Sequence, residues 1–147
     1  MRRPSGDDGN ALVEFTYLAV LVMVPVVYLL LTVFQVQSAA FGVTEAARQA
    51  GRAYVRADTT AEATARARAA SDLALSDQGI DDPRPPVVSC APKPRARCLE
   101  PGTRVEVTVT HRVELRFLGA LFFGTREPTI PVTATHVQVV DRVQAAP

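Results

Sequence analysis

The sequence has no Trp, two Cys, two His and two Met, and aromatic residues fill only 6% of its 147 positions. Two Cys and two His cannot complete a closed four-ligand zinc site without carboxylates, and no CxxC or HExxH spacing occurs. A Gly-rich phosphate loop and a Ser-His-Asp arrangement are missing as well. Neither sign of charge is in excess: 16 Lys plus Arg stand against 15 Asp plus Glu, a formal net charge of +1. Nucleic-acid binding through a general basic field is therefore not expected. The sequence predicts neither an enzyme nor a holder of metal, cofactor or small-molecule substrate. The length allows one ordinary domain, or a small domain with something added.

What is present is unevenly distributed. A mean hydropathy of +0.10 is high for a chain with 21% charged residues, so apolar residues must be concentrated somewhere. They lie in FTYLAVLVMVPVVYLLLTVF, Phe15 to Phe34, twenty residues without a charge. At about 1.5 Å per residue this run spans roughly 30 Å, the thickness of a bilayer's hydrocarbon core. Pro25 predicts a kink, which membrane helices tolerate because neighbours satisfy the freed carbonyl. Buried core helices seldom stay apolar on every face for this length, so a membrane helix is the expectation. A cleaved signal peptide is the rival: Ser38 and Ala40 are small residues at −3 and −1 of a cut after Ala40. The apolar run is long for such a signal, and Gln35 and Gln37 separate it from that cut.

Basic residues do not decide the orientation, because Arg2 and Arg3 precede the run while Arg48, Arg52 and Arg56 follow it. The cysteines are more informative. Cys90 and Cys98 sit in the Pro-rich VVSCAPKPRARCLEPG, with seven residues between them. A bridge there would contribute about 2–3 kcal/mol in the chain-entropy model, and disulfides persist outside the cytosol. A bridge is expected, with the C-terminal part extracytoplasmic; two unpaired thiols are the alternative.

Ahead of the apolar run stands Gly9-Asn10-Ala11-Leu12-Val13-Glu14-Phe15. An acid deep in a bilayer costs about 2.5–3.5 kcal/mol on the insertion scale and usually marks a function or a partner. At headgroup depth it costs little. Both readings of Glu14 stand on physics alone.

These residues resemble the processing site of type IV pilin-like proteins, in which a membrane aspartyl peptidase cuts after a Gly and a Glu occupies the fifth mature position. A cut after Gly9 makes Asn10 first and Glu14 fifth, whereas a cut after Gly6 would put Ala11 there. Downstream, Thr44-Glu45-Ala46-Ala47-Arg48-Gln49-Ala50-Gly51-Arg52-Ala53-Tyr54-Val55 is similar to the pattern closing the TadE-like module of tight-adherence pilus assembly proteins. The resemblance covers Gly9 to Val55. It implies a minor pilin or pseudopilin, processed at Gly9 and Asn10, with Glu14 and Phe15 serving assembly. Implied partners are the prepilin peptidase, other minor pilins, the major pilin or pilus base, and membrane lipid. The Glu14 carboxylate would pair with the new α-ammonium of a neighbour, neutralising two charges that are costly in lipid.

The same reading divides the chain into a leader, 1–9, a pilin-like helix, 10–56, and a small extracytoplasmic α+β domain, 57–147. Within the long helix, Ser38, Gly42, Ala46 and Ala50, and one step round Ala39, Val43, Ala47 and Gly51, form a small-residue face open to close approach by another helix. Arg48, Arg52 and Arg56 recur once per turn on another azimuth, a solvated face or a contact for headgroups or filament. Thr59 and Glu62 have capping-box spacing for a second, short helix, with Ala61, Ala65, Ala69 and Leu73 following at fours and Gly79 as its stop. Val105, Val107, Val109, His111, Val113, Leu115 and Phe117 alternate with polar residues, predicting a strand with one buried face. A second strand is expected from about Thr129 to Val140, with Pro131 marking an edge, and Val87-Val88 adds a short third. If Phe117 pairs near Thr129 and Ile130, His111 and His136 come close to facing each other. Between the strands, Leu118-Gly119-Ala120-Leu121-Phe122-Phe123-Gly124 is an apolar tip that folds back on the sheet, docks on a partner subunit or touches the membrane. The expected fold is α+β: a long N-terminal transmembrane helix extending outward, a short second helix and a small hairpin-based antiparallel sheet.

Overall fold

The structure is a computed structural model that describes residues 8–81, 83–92, 97–115 and 128–141, with side chains from residue 11 onward. The fold is α+β. Helix α1 runs Asp8–Val55 and helix α2 Thr60–Ser76, followed by strands β1 (Val87–Ala91), β2 (Arg104–Glu114) and β3 (Thr129–Val139). The chain divides into two compact units, Met1–Phe34 and Gln35–Pro147. The division falls inside α1, whose C-terminal part belongs to the core of the second unit. Residues 1–7 of the expected leader and the apolar stretch 118–124 lie outside the described residues.

In the first unit α1 is helical through Pro25, with its large side chains exposed, from Leu12 and Phe15 to Leu31 and Phe34. Thr16 and Thr32 each donate their hydroxyl to the carbonyl four residues back, at 2.8 Å to Leu12 and 2.9 Å to Tyr28. This local bond hides a polar group that nothing else on an apolar helix would satisfy.

The second unit is a layer of helix on a three-stranded antiparallel sheet of order β1-β2-β3. Alternation along β2 determines its buried face: Val105, Val107 and Val109 are fully buried and Val113 nearly so, as their period of two predicts. The opposite face carries cross-strand hydroxyl pairs, Thr108 with Thr135 and Thr110 with Thr133, both at 3.0 Å. Pro131 lies in β3, an edge strand, where its missing N–H breaks no ladder.

The hairpin register differs from the expected one. His136 faces Val107 and His111 faces Val132, so the two histidines share a face without being opposite each other. Register follows the matching of both inner faces along the whole hairpin, which pairs Val113 with Ile130 and Val109 with Ala134.

Two clusters form the core. Ala50, Tyr54 and Ala57 meet Ala63, Ala67, Val88, Cys98, Val105, Val107 and Val140 in the first. The second joins Val43, Ala46 and Ala47 to Ala74, Leu75, Ile80 and Val109. Helix α2 starts as its capping box predicts: Glu62 N–H donates to Thr59 Oγ1 at 3.3 Å, and Asp58 N–H to Glu62 Oε2 at 3.2 Å. Its buried face is Ala63, Ala67, Ser71, Ala74 and Leu75, whereas Ala61, Ala65, Ala69 and Leu73 point outward. With alanine on nearly every azimuth, the spacing alone did not select the inner stripe. The turn of Gly79, at φ +73°, lets Ile80 N–H return to the Leu75 carbonyl and close the helix end.

Candidate functional site

The residues singled out by sequence fall into three places. Gly9 and Asn10 lie in the first turn of α1, which begins at Asp8, one residue before the expected scissile glycine. Glu14 and Phe15 follow one turn later and are exposed, Phe15 at 74%. Among the described residues, nothing forms a hydrogen bond or ion pair with the Glu14 carboxylate. It therefore stands at the head of an apolar surface, with Leu12, Val13 and Tyr17 exposed around it. This N-terminal helix is long and apolar enough to cross a membrane, and none of its most apolar window is buried. Exposed apolar surface on this scale is unstable in water and calls for lipid or another protein.

The small-residue face lies in the second unit and is occupied by the chain itself. Gly42, Ala46, Ala47, Ala50 and Gly51 are all buried. A Cβ built on Gly42 would come within 3.1 Å of Gln78 Cγ, and one on Gly51 within 3.2 Å of His136 Cδ2. The close approach that the spacing predicts is thus used for the turn after α2 and for the sheet. Gln78 and Ile80, which no motif marks, complete this packing together with Tyr54. For Tyr54 the signal was present in the spacing of Val43, Ala46, Ala47, Ala50 and Tyr54, which together draw one helical stripe.

Arg48, Arg52 and Arg56 are exposed, and no ion pair among the described residues involves them. Cys90 and Cys98 are joined in a disulfide with Cα atoms 5.6 Å apart, Cys98 fully buried against the first core cluster. His136 Nε2 lies 3.4 Å from Gln138 Oε1 on the inner face of β3. Among the described residues, no three His, Cys, Asp or Glu side chains gather where they could hold a metal ion. The chemistry available is that of one exposed carboxylate on an apolar helix in the first unit and of a disulfide-closed core in the second.

No protein-family profile, curated protein or solved structure matches the chain.

Proposed function

We propose that this chain is a minor pilin or pseudopilin-like subunit of a tight-adherence-type, type IV-like pilus or related secretion apparatus. Its apolar helix crosses the cell membrane once, with the N-terminus cytoplasmic and the disulfide-closed unit extracytoplasmic. The prepilin peptidase cuts after Gly9. Asn10 then carries the new amine, and Glu14 pairs with the corresponding amine of a neighbouring subunit. Minor pilins, the major pilin or the pilus base are the partners; the role is structural rather than catalytic.

The observation that carries this reading is the contrast along α1. The part from Ala11 to Leu31 has every side chain exposed and holds one unpaired carboxylate, while the part from Ala39 to Tyr54 is packed into a core. A charged group placed at the start of an unpartnered apolar helix is an expense that only a partner group or a shallow depth relieves.

A second reading is favoured by the start of α1 at Asp8, since a peptidase must unwind a helical turn to reach the Gly9–Asn10 bond. In that reading the leader is retained and the chain is a membrane-anchored extracytoplasmic binding module. N-terminal sequencing of protein purified from membranes separates the two. The pilin-like reading expects Asn10 as the first residue; Met1 or Arg2 there refutes it.

A further inference from the structure

The second unit carries two unpaired charge patches of opposite sign at different heights along α1. The positive one is Arg48, Arg52 and Arg56, exposed once per turn on the face away from the buried stripe. The negative one is Asp77, in the turn that closes α2, and Asp81 just beyond it, both exposed. Asp77 is the C-cap of α2, whose last turn holds no basic residue, so its carboxylate sits at the negative end of that helix's dipole. No ion pair among the described residues involves either patch. The other exposed arginines of α2 are different: Arg66 pairs with Glu62 at 2.6 Å and Arg68 with Asp72 at 3.7 Å.

Packing gives the offset between the patches. Ser38 Oγ donates to Gln78 Oε1 at 3.5 Å, and Gly42 lies against the Gln78 side chain, so the acidic turn is level with residues 38–42. Arg48 and Arg52 follow those two positions by ten residues each, which is about 15 Å along the helix at 1.5 Å per residue. The two patches are complementary in charge, which favours a second copy of this chain as the occupant of each.

We infer that the arginine face of α1 docks on the Asp77–Asp81 turn of a second copy of this chain, displaced along the helix axis by about 15 Å. The inference rests on the subunit reading above and names the contact that sets its stagger outside the membrane. The two patches differ, so the contact is head-to-tail and leaves each copy with one free patch, a geometry that propagates instead of closing.

The test uses the full chain in nonionic detergent, with self-association followed by sedimentation and by chemical crosslinking. Wild type is expected to associate in low salt and to dissociate as salt screens the contact. The triple variant R48E/R52E/R56E and the double variant D77R/D81R should each associate at least tenfold more weakly. An equimolar mixture of these two variants should recover heterotypic association, because the reversed patches again attract. Association that survives both reversals, or a loss that mixing does not restore, overturns the inference. Processing at Gly9, read by sequencing the N-terminus of the same preparations, reports separately on the subunit reading.

Discussion

Gly51 of α1 faces His136 of β3 so closely that a Cβ added to the glycine would lie 3.2 Å from the ring's Cδ2. Gln138 Cβ and Val107 Cγ2 stand behind it at 3.7 and 3.9 Å. The helix approaches the sheet here because one side chain is missing, and that sets how α1 seats on the hairpin. Gly51→Ala gains about 1 kcal/mol of helix propensity and must displace a half-buried ring on an edge strand by a few tenths of an ångström. Those effects offset, so thermal unfolding of Gly51→Ala should stay within about 1 kcal/mol of wild type. Gly51→Leu has no such escape and should lose about 1–3 kcal/mol or more. Equal stability of the leucine variant would mean the helix does not sit on the sheet as described.

The Cys90–Cys98 bridge ties β1 to the segment leading into β2, and Cys98 fills a fully buried position. Reduction should lower stability by about 2–3 kcal/mol through the restored freedom of the unfolded chain. Replacing both cysteines by serine should cost more, since a serine at position 98 adds a hydroxyl to an apolar cluster. Denaturant unfolding with and without reductant measures the first effect, and the double variant measures the second.

Ser71 is fully buried between alanines on the inner face of α2, and its Oγ has no hydrogen-bond partner among the described residues. Removing a buried hydroxyl that bonds nothing relieves its desolvation and improves helix propensity. Ser71→Ala should therefore raise stability, by about 1 kcal/mol. A clear loss of stability on denaturant unfolding would show that the hydroxyl is satisfied in solution.

Glu14→Ala removes the carboxylate from the apolar helix while leaving the packed unit untouched. Membrane insertion should be preserved or improved, because an acid within a bilayer costs about 2.5–3.5 kcal/mol on the insertion scale. If the proposed subunit role holds, co-assembly with pilus components should be lost. Alkaline extraction of membranes reads insertion, and co-purification reads assembly. Normal co-purification of the variant would remove Glu14 from the assembly contact.

Much of this architecture is written in short-range pattern. The charge-free run from Phe15 to Phe34, the capping box at Thr59 and Glu62, and the strict alternation from Val105 to Val113 each specify an element through local physics. The cysteine pair could be matched because there are only two, and a short loop keeps them near each other. The processing reading of Gly9 and Glu14 also belongs to sequence, since it is a matter of spacing along one chain.

Other features depend on which surfaces meet, and no local pattern carries that. The small residues from Gly42 to Gly51 announce close packing without naming the neighbour, and only the fold assigns them to Gln78 and to His136 of the chain's own sheet. The alanines of α2 lie on all sides, so burial of Ala63 and Ala67 rather than Ala61 and Ala65 was decided by the position of α1 and the sheet. The histidines were likewise placed by matching two inner faces over eleven paired positions, a sum over many contacts that no single residue pair contains. Local geometry determines elements because it acts within a few residues. Their mutual seating comes from shape and burial between distant residues, which exist only once the chain has closed on itself.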